Sequence, residues 1–504
     1  MFCKSLNAKT TMHSSSFQQT LQAHLRCYPN QPLVIACSGG VDSIVLLHEI
    51  ANLVNFHKNI NKNEGVALNN RVMVCYVDHG LSHNAVQWHN FVKNQCIKLE
   101  LAFVGKKVKL DKSSNQSLEA QAREARYSAL KEVAGENGVV FTAHHQDDQV
   151  ETFLLALKRG SGIKGLSAMT AHSLLITEKG ALQVVRPLLN VSRQAIESRA
   201  KTLKLEWIED ESNLDQLFDR NFLRQTIVPL LESRWSGISK AIARTASHCQ
   251  DAQALIDEVA SVDLQQCLVD DNTLNIDALL SLSNSRFNYV LRYYLAQNGE
   301  LMPSSHVLRQ IKQQLSADGD KTPQVKIGHK WFRRFKNKLV LTDNFADISN
   351  WQQIIKLTTL NEKPVTIVLP DNLGQLVFAS EICDLLATNI TNEDIGSISD
   401  GLTCLWLPEK ISELRLTFTH VNPTCLPDYR NHSRALKKIL QELEIEPWQR
   451  KRIPLLFHGE NLISALGYFV CQPFSIKNKQ LKETGKLDRI RKVNVRWLAS
   501  NNSG

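Results

Sequence analysis

The sequence predicts an α/β fold: a doubly wound parallel-sheet domain, then a helical middle domain, then an α+β carboxyl-terminal domain. Three observations carry the first of these. Short apolar, β-branched runs alternate with segments of helical period, each run ends in an unusual polar sequence, and those polar sequences (SGGVDS, DHG, AHHQDD) all fall where a strand would finish. In an open parallel sheet, ligands bind at that end of the strands.

The first strand is Leu33 to Ala36 (LVIA), followed by a helix over Val41 to Leu53. Val72 to Val77 (VMVCYV) forms the second strand, with DHGLS and a helix from about Asn84 to Leu99 after it. An extended stretch at 102–108 leads to a helix from Ser117 to about Glu136, and Val139 to Thr142 leads to one from Asp147 to Leu157. From Ser236 to about Gln314 the pattern is helical, and the basic, strand-like KIGHKWFRRFKNKLVL closes that region. After Asn344 short extended runs such as PVTIVLP and SELRLTFTHV are separated by Pro, Asp and Gly. A chain of 504 residues exceeds one hydrophobic core, and the expected domains are 1–235, 236–345 and 346–504.

A formal charge of +9 and a pI near 8.9 suit a nucleic-acid partner without requiring one. Eleven cysteines are scattered and never form a CxxC pair, which reads as reduced thiols. No stretch approaches the ~18 to 20 apolar residues that span a bilayer, and the opening MFCKSLNAKTTMHSSS has no apolar signal-peptide core. The expectation is a cytoplasmic protein without a membrane partner. Met12 precedes the first plausible helix, so residues 1–11 read either as native or as a dispensable extension.

SGGVDS comprises Ser38, Gly39, Gly40, Val41, Asp42 and Ser43. Between a buried strand and a helix start, such a loop offers backbone N–H groups and a positive helix end to a phosphate. It lacks the GxxxxGK[ST] spacing and the lysine of a Walker A loop. A bare SGG reads as an ordinary turn. The whole hexapeptide after a first strand resembles the pyrophosphate-binding loop of the N-type ATP pyrophosphatases, which cleave ATP between the α and β phosphates.

In TAHHQDDQVETFLLALKRGSGIKGL, Asp147 and Glu151 lie four residues apart on one helix face, with Asp148 and Thr152 beside them. Carboxylates grouped at a helix opening can hold Mg2+ on ATP phosphates or receive an amine cation. His144 and His145 precede them, but without cysteine partners or a second histidine cluster the pattern does not favour a transition metal. SLEAQAREARYSAL puts Glu119, Arg123 and Arg126 at helical spacing, which a solvated, salt-bridged helix explains by itself. EDESNLDQLFDRNFLRQTIVPLL joins an acidic turn, with Ser212 and Asn213 as cap residues, to Arg220, Asn221 and Arg224.

Taken together, SGGVDS, VDHGL, the AREARY segment, AHHQDDQVETFLLALKRGSGIKGL, RPLL and the EDxSN...RNxLR segment resemble the catalytic domain of the tRNA(Ile)-lysidine synthetases. LKKILQELEIEPWQRKRIPLLFHGENLISALGYFV, Leu436 to Val470, continues the likeness. The chain departs from the family's Gly- and Arg-rich approach to the basic helix, where it has RNHSRALKK. The resemblance implies a ligase that adenylates the C2 oxygen of the wobble cytidine of a minor isoleucine tRNA with ATP. L-lysine then displaces AMP through its ε-amine. It also implies ATP contact by Ser38 to Ser43, Mg2+ held by Asp42 with Asp147 or Asp148, and chemistry by Asp42, Asp147, Asp148, Glu151 and Arg224. The remaining carboxylate, with Glu151 as the candidate, is expected to bind the lysine ammonium or take its proton, and which acid meets lysine and which the metal is left open. A homodimer is left open.

Two basic regions suit an RNA ligand. Lys326 to Lys338 holds six Lys or Arg with Trp331, Phe332 and Phe335, a mixture able to follow phosphates and stack on bases, although an aromatic strand more often packs in a core. Arg434, Lys437, Lys438, Arg450 and Arg452 are expected to contact tRNA phosphates. Rival functions lack their signatures: a tRNA thiolase would carry paired active cysteines or a CxxC centre, and a glutamine-dependent synthetase a nucleophilic cysteine domain. A non-catalytic RNA binder would have no need of an intact acid cluster beside an intact loop.

Overall fold

The central strands of the amino-terminal sheet are apolar along their whole length, as strands covered on both faces must be. In the computed structural model, β1 (Leu33–Ala36) pairs in parallel with β2 (Val72–Asp78) on one side and with β4 (Val139–Phe141) on the other. β3 (Ala102–Lys107) extends the sheet beyond β2. Beyond β4 lie β6 (Gly180–Val185), parallel to it, and β5 (His172–Thr177), an antiparallel edge strand, giving the order β3-β2-β1-β4-β6-β5. The structure describes residues 16–60, 68–80, 82–110, 118–211, 218–300, 302–316, 323–361, 363–383, 398–399, 401–475 and 490–498. The expectations for residues 1–11, Met12, Ser212 and Asn213, and for the Glu119 side chain, lie outside these residues.

The two-residue period of a strand divides the core in two. Leu33, Ile35, Val74 and Phe141 pack with α2 (Val41–Ile60), α3 (Ala85–Lys98) and α7 (Arg193–Thr202). Val34, Cys75 and Val140 pack on the other face against Tyr127, Leu130 and Ala134 of α4 (Leu118–Ala134). From β1 the chain moves outward through β2 and β3, then returns to β4 on β1's other side. Strand order therefore reverses between β1 and β4, the point at whose carboxyl ends open α/β sheets form their ligand crevice.

Every strand and helix expected before residue 160 forms within a few residues, except that α2 continues to Ile60, no Gly or Pro intervening before Gly65. α1 (Ser16–Arg26) is the helix expected after Met12, whereas α7 and the β5–β6 hairpin carry no signal read from the sequence. The hairpin turns at Thr177–Gly180, where Gly180 has φ +108, and its edge strand exposes Leu174 and Ile176. Searching for strand–helix units hides a strand pair with no helix between its members.

The chain divides into two units, Met1–Asp263 and Leu264–Gly504, the division falling inside the 30-residue helix Ile238–Cys267. In the second unit helices Asn284–Gln297 and Ser305–Ser316 cover an antiparallel five-stranded sheet that ends in strands Gln324–Ile327, Lys330–Phe335 and Lys338–Asp343. Phe287, Leu291 and Tyr294 meet Phe332, Leu339 and Leu341 in that core. Further on, two five-stranded sheets share a core in which Leu376, Phe378, Leu405 and Val493 meet Leu414, Leu416, Leu456 and Ile463. A short helix, Leu436–Glu442, buries Leu436, Ile439 and Leu440 beside them, so this region is α+β. Among the described residues no helix is long and apolar enough to cross a membrane.

Candidate active site

The chain leaves β1 through Cys37 to Gly40 and enters α2 at Val41. Gly39 has φ +93, a conformation L side chains avoid, and a Cβ there would meet Ile208 Cδ1 at 2.7 Å. Ile208 also donates its N–H to the Gly39 carbonyl at 2.9 Å, so the loop is clamped from outside. From inside, the buried Ser43 hydroxyl donates to the Gly40 carbonyl at 2.9 Å and accepts the Gly39 N–H at 3.1 Å. Ser43 thus braces the loop. The first N–H groups of a helix lack intrahelical acceptors, so the start of α2, with the helix dipole behind it, suits an anion. Gly39→Ala is expected to weaken nucleoside-triphosphate binding by about tenfold, since a left-handed residue costs about 1 to 2 kcal/mol before the Ile208 contact is counted. Calorimetric titration with ATP checks this, and unchanged affinity would remove the loop from phosphate binding.

Across the crevice, β4 passes through Thr142 to His145 into α5 (Gln146–Lys158). His145 caps that helix: its Nδ1 accepts the Asp147 N–H at 3.2 Å, while Asp148 Oδ2 accepts the His145 N–H at 2.9 Å. This is a capping box with imidazole in the place of a hydroxyl. Because Nδ1 accepts, the ring's N–H is on Nε2. That nitrogen lies 3.8 Å from Asp42 Oδ1 and 3.5 Å from Asp148 Oδ2, linking the two sides of the crevice.

Asp42, in the first turn of α2, accepts from Arg193 Nη1 through Oδ2 at 2.8 Å. Its Oδ1 is buried and has no hydrogen-bond partner. Burial raises the Asp42 pKa, and the opposing fields of His145 and Arg193 do not fully reverse it. Arg193 also donates Nε to Glu197 and its backbone N–H to Asp147 Oδ1 at 3.2 Å. It opens α7, which an Arg199–Glu49 ion pair of 2.5 Å ties to α2.

Deeper in the site, Arg224 gathers two acids. Its Nε donates to Glu151 Oε1 at 2.6 Å, and its Nη2 to Glu151 Oε2 at 3.1 Å and Asp148 Oδ1 at 3.0 Å. Glu151 is 1% exposed; burial raises its pKa, against the pull of Arg224. Asp148 differs: burial raises it too, but His145, His144, the His145 amide and Arg224 together outweigh that, and its carboxyl lies below the ordinary range. Arg224 is carried on a π turn, Leu223–Ile227, within a helix that runs from Asp219–Phe222 to Val228–Arg234. Pro229 offers no N–H to the preceding turn, which accounts for the widening there. Asp147 stands at the open side, its side chain 37% exposed.

Arg123 is exposed and Arg126 half-buried, and both also lie beside an aromatic ring. Their guanidinium carbons lie 5.0 and 5.2 Å from the ring centre of the buried Tyr127. Buried Arg186 donates Nη1 to the Thr170 carbonyl at 2.9 Å and to Ser173 Oγ at 2.8 Å. Burial raises the Tyr127 phenol, but Arg126, Arg123 and Arg186 outweigh it and hold the phenol below its ordinary pKa. His144, bonded through Nδ1 to Thr142 Oγ1 at 2.8 Å, is pushed down to about 3 by burial, with the same arginines adding to the shift. A neutral imidazole and three guanidinium groups thus belong to one neighbourhood.

Comparison with known proteins decides the family. The PP-loop domain matches residues 12–231, the TilS substrate binding domain residues 274–340, and the TilS substrate C-terminal domain residues 414–484. The tRNA(Ile)-lysidine synthase of Serratia proteamaculans is 38% identical over 441 residues, 87% of this chain and 92% of that protein. The chain belongs to the tRNA(Ile)-lysidine synthase family. The synthases of Edwardsiella ictaluri, 37% identical over 90% of this chain and 94% of theirs, and of Actinobacillus pleuropneumoniae, 38% identical over 90% and 99%, agree. A PP-loop domain in this family uses ATP, and the doubly wound sheet is that domain's core.

Asp42, Asp148, Glu151 and Arg224 thus form a connected cluster beside the Ser38 to Ser43 loop, with Asp147 at its rim. Sequence reasoning gave no role to His145, Arg193 or Arg186. The Ser192 N-cap before RQAIES was the available signal for Arg193, since it marks a helix start.

The carboxyl-terminal cations have unequal surroundings. Lys437 and Lys438 are exposed, and Arg434, also exposed, pairs with Glu442 at 2.6 Å. Arg450 is half-buried and donates Nε to the Ile445 carbonyl at 2.8 Å. Arg452 is only 8% exposed, bonded to Asp371 and stacked 4.3 Å from the centre of Phe345, so it is not offered to a phosphate. The aromatic basic strand is similarly engaged. Phe332 is core, Arg334 donates to the Gln314 and Leu315 carbonyls, and the Arg333 guanidinium lies 5.3 to 5.8 Å from the rings of Phe345, Trp331 and Trp448.

Proposed function

We propose that this chain makes lysidine in two steps at one site, the crevice between the carboxyl ends of β1 and β4. The C2 oxygen of the wobble cytidine of a minor isoleucine tRNA attacks the α phosphorus of ATP, and pyrophosphate leaves. The ε-amine of L-lysine then bonds to C2, AMP departs with that oxygen, and the amine releases a proton. The observation that carries this reading is the continuous chain of contacts from the phosphate-type loop through Asp42, His145 and Asp148 to Arg224 and Glu151. It joins an ATP half-site to an acidic half-site suited to an amine. Incubating the protein with ATP, radiolabelled lysine and unmodified minor isoleucine tRNA tests it. Label in RNA supports it, and no incorporation alongside intact ATP turnover would overturn it.

The N–H groups opening α2 stabilise charge that develops on the leaving pyrophosphate. Asp42 fits a Mg2+ ligand, because its buried Oδ1 has no other partner and the ion accepts one or two carboxylates beside phosphate oxygens. Mg2+ there would neutralise phosphate charge. Arg193 keeps Asp42 oriented, and the Nε2 proton of His145 holds Asp42 and Asp148 in one field. Glu151, with both oxygens on Arg224, acts as a positioning residue. Asp147, more exposed than either, is the carboxylate best situated to take the lysine ammonium. Arg123 and Arg126 supply positive charge for the nucleotide and RNA phosphates, while the buried Arg186 braces the backbone at Thr170 and Ser173.

Residues 1–235 serve as the catalytic domain, with 236–345 and 346–504 holding tRNA, in a cytoplasm where the nine described cysteines remain thiols. Lys437 and Lys438 contact phosphate, whereas Arg452 braces its own domain. The double substitution of Lys437 and Lys438 by Gln is expected to reduce the salt slope of tRNA binding by roughly 1.4 to 1.8 log units. Arg452→Met should leave that slope unchanged while lowering Tm. Anisotropy titrations across a salt series, with thermal melts, separate the two effects, and equal slopes for all three proteins would return the lysines to a solvated surface.

A further inference from the structure

The helix that carries Arg224 stops at Trp235, whose N–H still donates to the Leu231 carbonyl at 2.8 Å, and the long helix Ile238–Cys267 begins three residues later. Between them lies a shallow concavity of about 490 Å³ lined by Trp235, Ser236, Gly237, Ile238 and Ala241. Its wall is mostly apolar, and Trp235 is 55% exposed, although an indole of that size ordinarily finds cover. Gly237 has φ +84 and no atom within 4 Å of where a Cβ would be, so the backbone leaves the floor open.

The stretch 231–244 carries three cations and one acid. Arg234, Lys240 and Arg244 are exposed, and Arg244 lies on the helix face of Gly237 and Ala241, at i+7 and i+3. The nearby acid, Glu232, accepts the Gly237 N–H and the Ser239 N–H at 2.8 Å each, so it serves as a helix cap. An apolar, aromatic-walled floor in a stretch with three exposed cations suits a nucleotide, whose base is flat and whose phosphates are anionic. A protein partner would need acids placed for three cations besides an apolar patch for the indole, whereas a nucleic-acid backbone carries an anion at every residue.

We propose that the Trp235 concavity binds an unpaired tRNA nucleotide, its base stacked on the indole and its neighbouring phosphates on Arg234, Lys240 and Arg244. The inference rests on the reading of the substrate as tRNA. Eleven residues of helix separate Arg224 from Trp235, about 16 Å along the axis at 1.5 Å per residue. A handful of nucleotides covers that span at roughly 3.4 Å each when stacked. The site would fix the RNA strand near the reacting base without touching the base itself.

The test uses the full chain, end-labelled unmodified minor isoleucine tRNA, and a fluorescent ATP analogue as control. Wild type is titrated first; if it does not bind tRNA, the substrate reading fails and this inference falls with it. Trp235→Ala is expected to weaken tRNA binding by about tenfold with little change in salt slope, and Trp235→Phe to recover most of the loss, because a second flat ring still stacks. Lys240→Gln with Arg244→Gln should instead lower the slope by roughly 1.4 to 1.8 log units. ATP-analogue affinity should hold in all of them. If Trp235→Ala and the Gln pair both bind within twofold of wild type at unchanged slope, the proposal is overturned. It is equally overturned if Trp235→Ala leaves RNA affinity intact and halves the molecular mass in solution, which would make the concavity a contact between copies.

Discussion

Arg224→Met is expected to destabilise the amino-terminal unit by about 3 kcal/mol at neutral pH and to abolish lysidine formation. The residue compensates Glu151, which is almost wholly buried, and removing one member of a buried pair costs about 3 to 5 kcal/mol because the remaining charge stays in a poor solvent. The lower end applies, since Arg224 is itself partly exposed and water can enter where it stood. For a unit of this size that is a Tm loss of roughly 6 to 12 °C. The pH dependence has a definite sign. Burial raises the Glu151 pKa, so its favourable contribution is complete below the ordinary glutamate value and is lost as pH rises through the elevated one. Without Arg224 that loss is larger, and the Tm gap between variant and parent should widen from pH 5 to pH 8. Asp148, held below its ordinary value, contributes in the opposite sense and loses its part only in more acidic solution, outside this range. Melting curves at several pH values check the trend. Glu151→Gln combined with Arg224→Met should regain much of the Tm but none of the activity, which separates folding from positioning. A gap that narrows toward pH 8 would contradict the pairing.

The second large effect is expected at Asp42. Asp42→Asn keeps an oxygen for Arg193 but turns the unpartnered Oδ1 into an NH2 group facing the His145 Nε2 proton. Two donors then oppose each other, and the carboxylate that fits the ion is gone. Adenylation should fall by at least about 10² to 10³, the scale of losing one organised electrostatic contact to a developing charge. tRNA affinity should not change, because Asp42 lies in the nucleotide loop. Rapid-quench measurement of pyrophosphate release, with filter binding of tRNA alongside, tests both halves. A parallel fall in RNA affinity would show that the loop also grips tRNA.

Much of the catalytic unit was legible because its signals are local. LVIA, VMVCYV and VVF are continuously apolar, and each is followed by a polar turn, so sequence alone places the strand ends where chemistry gathers. The acids of α5 follow from helical spacing in the same way. What was hidden depends on strand order. His145 becomes the bridge to Asp42 only because β4 lies beside β1, and Arg193 reaches Asp42 from 151 residues away in sequence. Burial was equally hidden. Glu151 looks on paper like an open carboxylate, yet Arg224 closes over it, and Arg452 looks like a phosphate contact, yet it stacks on Phe345 beneath the surface. Arg333 was offered to RNA for the same reason and lies among three aromatic rings.

The most direct measurement of the two-step account withholds lysine. With ATP carrying label in the α phosphate and unmodified minor isoleucine tRNA, but no lysine, label should become covalently attached to the RNA with one pyrophosphate released per AMP bound. A chase of L-lysine should then discharge that AMP and leave lysine in its place, at a rate that Asp147→Asn slows more than it slows the first step. Label released as free AMP from the outset, with none on tRNA before lysine is added, would contradict the account.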